Sequence, residues 1–336
     1  MYIRKESKYY KYLFFSLWLV AFLVVFLWGE AILPEKYFRD SELIMEMASG
    51  SASPSSQDGS YYYTTLVFEF LGEHLSSLLV FVTGIAYIAT MSFFVRRWDE
   101  LAYGSVLLMP HLVLGLSRPQ KETLVSILVI ACFFVYRKSK NLSYTLLLIF
   151  ALYLSYGLVR NYYLLIIAVF ALLLLMERLN FEYKALVVLL VLFSLFLLPE
   201  DFFFKVQGTR DIFNSLRPMG GAGHETIYFN PLTPDSAQAF MGNYFSSLVY
   251  FNFPIFFVFT GNSLYLQIYI LILLVSFFKF SQIESIELRL FGLLFISHLL
   301  VLLLFEPDLG SYMRHLSSVS IYIMMYFSWM KYERTN

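Results

Sequence analysis

The sequence holds a single cysteine, Cys132, and only 14% of its 336 residues are charged. One cysteine inside an apolar run excludes a disulfide framework and a cysteine-based zinc site. A soluble domain carries roughly 25% charged residues. The low charge and a mean hydropathy of +0.67 therefore exclude an ordinary soluble protein. Net charge is zero and argues for no particular partner. There is no Gly-x-x-x-x-Gly-Lys-Ser/Thr loop, no Gly-x-Ser-x-Gly elbow, no His-Glu-x-x-His pair and no Cys/His cluster. ATP hydrolysis, serine-hydrolase chemistry and zinc catalysis lack support on that account. No internal repeat and no domain linker are visible.

What the chain does have is a succession of helix-length apolar segments. Arg4, Lys5, Lys8 and Lys11 precede an apolar stretch from Tyr12 to Leu33. That stretch is too long for a cleaved signal and has no convincing small-residue cleavage site. It reads as a first span with a cytoplasmic N-terminus. Crossing a core of about 30 Å takes roughly 20 apolar residues. The expected spans are 12–33, 75–95, 101–117, 123–136, 142–158, 162–176, 185–198, 248–278, 290–305 and 316–330. The eighth is too long for one straight helix. Pro254 and the Gly261-Asn262 pair predict an outer half-helix followed by a true span. Ten spans place an excess of the 24 Lys and Arg inside, whereas eleven would divide them evenly. The positive-inside bias selects ten.

The expectation is an all-α polytopic membrane protein, 1–336 forming a single integral domain with both termini cytoplasmic. Two outer loops are long. Residues 34–74 contain a Ser/Gly-rich stretch, Ser49 to Ser60, which reads as flexible. Residues 199–247 follow the seventh span.

This orientation puts Arg118, Arg160, Arg210, Arg217 and Arg314 on the outer side, against the usual bias. Cations that persist there beside hydrocarbon commonly have an anion to hold. The run 142–176 carries one charge, Arg160. As one helix it would be about 52 Å long, so a hairpin turning at Arg160-Asn161 is expected. The plainer reading is an arginine snorkelling to lipid phosphate. Ser117-Arg118-Pro119-Gln120-Lys121-Glu122 joins two spans with almost no loop. Pro119 suits the first turn of the next helix, and Lys121 lies beside Arg118. The plainer reading there is a local ion pair with helix capping.

Glu306-Pro307-Asp308-Leu309-Gly310-Ser311-Tyr312-Met313-Arg314-His315 joins the last two spans. Pro307 and Gly310 would bend the chain so that its charged groups converge. A carboxylate or His315 could then take a proton while Arg314 holds phosphate. A solvated turn with paired charges is the alternative. Arg210, Arg217 and His224 in the large loop are less specific, as are Gly220-Gly221-Ala222-Gly223, Asp40 and Asp58. Glu69, Glu73 and His74 mark the interfacial entry of the second span. His111 and His298 read as histidines satisfied by a neighbouring helix. The 36 Phe and 26 Tyr fit interfacial belts, and those in outer loops could stack on sugar rings.

In its ten spans, its large outer loop in the second half and its outer arginines, the chain resembles the Wzy-type polymerases of bacterial O-antigen, capsule and exopolysaccharide. The local carriers are Arg118-Pro119-Gln120-Lys121-Glu122, Arg160-Asn161-Tyr162 and Gly310-Ser311-Tyr312-Met313-Arg314-His315. The resemblance implies a metal-independent, GT-C-like glycosyltransferase needing no cofactor. It would sit in the bacterial inner membrane with a periplasmic active site and polymerise undecaprenyl-pyrophosphate-linked oligosaccharides. Partners would be that lipid-linked substrate, membrane lipid and a chain-length regulator, with no nucleic acid. Arg118, Arg160 and Arg314 would clamp pyrophosphate, with Arg210, Arg217 and Lys121 assisting. Glu306, Asp308 and His315 would be candidates for the general base. Two rivals are a flippase of lipid-linked oligosaccharide and an integral-membrane O-acyltransferase. The flippase should carry cations along a central cavity. The acyltransferase should carry a histidine near its first span and arginines toward the cytoplasm.

Overall fold

A computed structural model describes residues 8–51, 59–139, 141–215, 226–277 and 286–333. The described residues are helical, with one isolated antiparallel bridge, Ile227 to Asp308, and no strand. The helices are α1 Lys8–Ile32, α2 Arg39–Ala48, α3 Gly59–Ser92, α4 Trp98–Leu114, α5 Lys121–Lys138, α6 Leu142–Gly157, α7 Tyr162–Glu177 and α8 Phe181–Leu195. They continue with α9 Glu200–Phe203, α10 Thr209–Ser215, α11 Ala237–Asn252, α12 Gly261–Phe277, α13 Ile286–Phe305, α14 Leu309–Ser318 and α15 Ser320–Glu333. By length and composition, α1 and residues 61–92 of α3 suit a membrane crossing. A third crossing is added if α8 and residues 200–212, bent by 108°, count as one broken span. Four shorter apolar helices occupy 142–157, 162–177, 263–275 and 289–305.

The chain forms two compact units. The first comprises Met1–Ile167, Gln282–Gly292 and Ser317–Asn336. Small residues in it let helices approach closely. A Cβ on Gly84 would lie 2.3 Å from the Phe22 ring, and one on Gly104 would lie 3.1 Å from Phe14. Phe14 and Phe22 are thus wholly buried in notches where no side chain competes. Tyrosines satisfy the polar groups of this interior. Tyr87 Oη meets the Ser318 carbonyl at 3.0 Å and Ser320 Oγ at 3.1 Å, and Tyr153 donates to Tyr322 at 3.0 Å. His111 bonds Ser126 across α4 and α5 at 2.8 Å, the neighbouring-helix partner expected of it.

The region 34–74 differs from expectation. Expected as an outer loop, it holds α2 and the first part of α3, while most of the Ser49 to Ser60 stretch lies outside the described residues. α2 buries Ser41 and Ile44, one turn apart, and exposes Glu42 and Glu46. Asp40 and Glu42 in its first turn suit the positive helix end. Within α3, Gly72 adopts φ 66°, ψ 173°, a conformation open to glycine and costly for other residues. The kink leaves residues 73–92 as a helical segment about 30 Å long.

The second unit comprises Ala168–Ser281 and Leu293–Leu316. No residue of α8 is buried, and Leu186, Val188, Leu189, Leu190, Val191 and Phe193 all lie exposed. An apolar helix uncovered on every side is out of place in water. Phe203, Ala237 and Phe240 form a small core with Leu195, Leu198, Val206 and Leu304. The helix break falls at Pro254 as expected, with a 3₁₀ turn over Pro254–Phe256 and α12 starting at Gly261. Proline disfavours helical backbone at the residue before it, and Phe253 leaves helix at φ −129°, ψ 52°. The helix before the break begins at Ala237, earlier than the expected 248, because Ser236 caps it by accepting from the Ala239 amide.

Candidate functional site

The candidate residues gather into two groups, one in each unit. In the first unit, α4 ends at Leu114 and α5 starts at Lys121, so Arg118 occupies a short corner. Thr123 Oγ1 donates to the Arg118 carbonyl at 3.1 Å, fastening that corner to the first turn of α5. Pro119 stands two residues before α5 rather than inside its first turn. The Arg118 guanidinium pairs with Glu30 in the last turn of α1, Nη2 to Oε1, at 2.8 Å. It also lies 5.5 Å from the ring of Phe38. Lys121 is buried, with its ammonium 3.0 Å from the centre of the Tyr61 ring. Both cations therefore rest on aromatic faces, which attract positive charge through the ring quadrupole.

Arg160 lies in the turn between α6 and α7, where a hairpin was expected. Its amide donates to the Tyr156 carbonyl and its carbonyl accepts from Tyr163, both at 2.9 Å. The side chain is buried at 5% exposure, against the Tyr162 ring at 4.8 Å. A guanidinium stays charged when buried, so its surroundings must supply electron density. Tyr156 hydrogen-bonds the Arg160 side chain, and the buried Glu122 carboxylate acts on the same group. Tyr156 Oη also reaches the Lys121 carbonyl at 3.4 Å, so one phenol links the Arg160 turn to the Arg118 corner.

In the second unit, Arg210 is held by protein at both Nη atoms, while its buried Nε has no hydrogen-bond partner. Its Nη2 donates to the Leu303 carbonyl at 2.5 Å and its Nη1 to Asn230 Oδ1 at 3.3 Å. The rings of Tyr228 and Phe251 lie 4.8 and 5.8 Å away. Buried as it is, the guanidinium stays charged. Asp211 holds Asn230 by its backbone and side-chain amides, each at 3.0 Å. Asn214 is buried and donates to the carbonyls of Tyr228 at 2.8 Å and Pro307 at 3.2 Å. The Tyr228 amide donates to the same Pro307 carbonyl at 2.9 Å. The loop before α11 is thereby clipped onto the turn that carries Glu306.

Glu306 is 3% exposed, and its Oε1 lies 2.5 Å from His315 Nδ1. Arg314, half-buried, precedes His315 on α14. The expected bend at Gly310 is absent, because Gly310 is already helical and α14 runs unbroken from Leu309. The helix itself brings His315 back toward Glu306. Asp308 starts that helix: Oδ1 accepts from the Ser311 amide at 2.8 Å and Oδ2 from Ser311 Oγ at 3.0 Å. An Asp three residues before a serine at a helix start is a capping arrangement, and both carboxylate oxygens are engaged in it. Arg217, His224, Asp58 and the Gly220–Gly223 run lie outside the described residues.

Glu30, Tyr156, Asn214 and Tyr228 join these groups without having been singled out from sequence. No local signal marks them. Glu30 is an acid at the end of an apolar run, and Asn214 is one amide in a loop. Among the described residues, no group of three or more His, Cys, Asp or Glu is placed to hold a metal ion. No family model, curated protein or solved structure matches the chain.

Proposed function

We propose that the chain is a membrane-embedded glycosyltransferase of the Wzy polymerase kind. In this reading ten spans of a GT-C-like fold hold it in a bacterial inner membrane, and it joins undecaprenyl-pyrophosphate-linked repeat units at the periplasmic face. The observation that carries the reading is the buried Glu306–His315 contact, one residue from Arg314. A carboxylate that accepts the Nδ1–H hydrogen bond orients the imidazole and sets its basic lone pair at Nε2. Nε2 removes the acceptor sugar's O–H proton as that oxygen bonds to the anomeric carbon of the growing chain. The bond from that carbon to the lipid pyrophosphate breaks, and the lipid pyrophosphate departs with the electron pair. Negative charge grows on the leaving group, where preorganised guanidinium groups stabilise it without a metal. Arg314 is a guanidinium of that kind beside His315, and Arg118, Lys121 and Arg160 form the pyrophosphate-binding group of the first unit. The geometry gives Arg210 and Asp308 a supporting share: Arg210 holds the loop to α13, and Asp308 starts α14.

The test is genetic. Deletion in the source organism should leave single repeat units on the lipid carrier and remove the glycan ladder. Complementation with Arg314→Ala, a half-buried position, should leave the ladder missing at normal membrane levels of protein. Arg314→Lys should restore only a part, because a point charge cannot reproduce the planar fork. An unchanged ladder in the deletion strain would sink the proposal. Loss of one glycan modification alone would favour acyl transfer.

A further inference from the structure

We infer that Glu30 is the specificity-determining residue of the Arg118 corner, a resident counter-ion that yields to a diphosphate and turns away singly charged anions. The inference rests on the reading of Arg118 as a pyrophosphate ligand.

Three observations carry it. First, the pair is easily opened. The Glu30 side chain is 69% exposed and that of Arg118 26%, joined by one 2.8 Å contact. Exposed pairs of this kind are weak. Glu30 is also placed unfavourably, since it lies in the last turn of α1, where the helix dipole repels a carboxylate. Second, Arg118 does not depend on Glu30 for its position. The Phe38 ring beneath it is 3% exposed and packs against Gly29, where an added Cβ would lie 3.4 Å from the ring. The Arg118 carbonyl is tied independently to Thr123. When Glu30 swings out, the guanidinium stays on its floor. Third, Arg118 has unused capacity: its Nε is buried and has no hydrogen-bond partner. Glu30 reaches from the side with one oxygen on Nη2 and leaves that donor idle, whereas a phosphate seated squarely on the fork takes both.

The consequence for selectivity is electrostatic. A singly charged anion replaces one negative charge by another and gains nothing. A diphosphate brings at least two charges to a corner that also contains Lys121. Glu30 thus sets a threshold of charge and oxygen count.

The experiment uses the full chain in nanodiscs at mildly acidic pH and two soluble probes, inorganic pyrophosphate and inorganic phosphate, the second then singly charged. A parallel series uses discs doped with a polyprenyl diphosphate. Glu30→Gln should tighten pyrophosphate about fivefold, the upper range for an exposed ion pair. It should tighten phosphate by at least as much, narrowing the preference between them. The effect in the soluble series assigns the shared diphosphate group, and the effect in doped discs alone assigns a lipid-borne one. Either result upholds the inference. Unchanged or weaker pyrophosphate binding by Glu30→Gln, with binding lost in Arg118→Ala, overturns the role of Glu30 and leaves the clamp standing. Wild-type binding by Arg118→Ala overturns the clamp itself.

Discussion

Arg118 and Arg210 are the same residue type put to opposite uses. Arg210 is 2% exposed and spends its guanidinium on the Leu303 carbonyl, on Asn230 and on two aromatic faces. Arg118 meets one exposed carboxylate and one ring, and the idle Nε is common to both. A buried charge bonded to a backbone carbonyl of one helix and to a loop side chain is a fastener, since removing it unties the two. A charge held by a mobile side chain is available to a visitor. The lesson is that arginine position along the chain does not separate these uses. The partners do.

The comparison breaks most readily at Arg210. Arg210→Ala should lower stability by about 3 kcal/mol, the usual scale when one partner of a buried charged contact is removed. Thermal unfolding in detergent and the steady-state level in membranes would report it, and a wild-type melting curve would refute the fastener role. Asn214→Ala removes one donor from the Tyr228 and Pro307 carbonyls and should cost about 1–2 kcal/mol. Raised proteolytic sensitivity of the loop before α11 would accompany it, and unaltered cleavage kinetics would count against the clip. Arg118→Ala should be the mildest for folding, within about 0.5 kcal/mol of wild type. If it melts as early as Arg210→Ala, the two arginines are alike after all.

Much of the fold was legible because apolar runs and proline punctuation act locally. A helix occupies most of each expected apolar segment, and the break at Pro254 follows from proline's own geometry. The helix inside 34–74 escaped because its serines and acids drew attention away from a short buried face built on Ile44. The kink at Gly72 depends on a backbone angle that no neighbouring residue announces. At the site, the Arg160 turn was readable from one charge in a long apolar run. The Arg118–Glu30 pair joins residues 88 positions apart in sequence, and no spacing rule reaches that far. Asp308 was open to a different inference. Its place three residues before Ser311 carries a capping signal, which its company of titratable neighbours obscured.

α8 adds a last consequence. None of its 15 residues is buried within the protein, and apart from Leu195 at its end, which packs on the small core, they have few partner side chains to constrain their shape. Exchanging one aliphatic residue for another along it should pass unnoticed, whereas a single lysine near its middle would meet a hostile solvent. Selection on this helix thus acts on composition rather than on identity. Two chains doing the same work could share α8's greasiness and almost none of its letters.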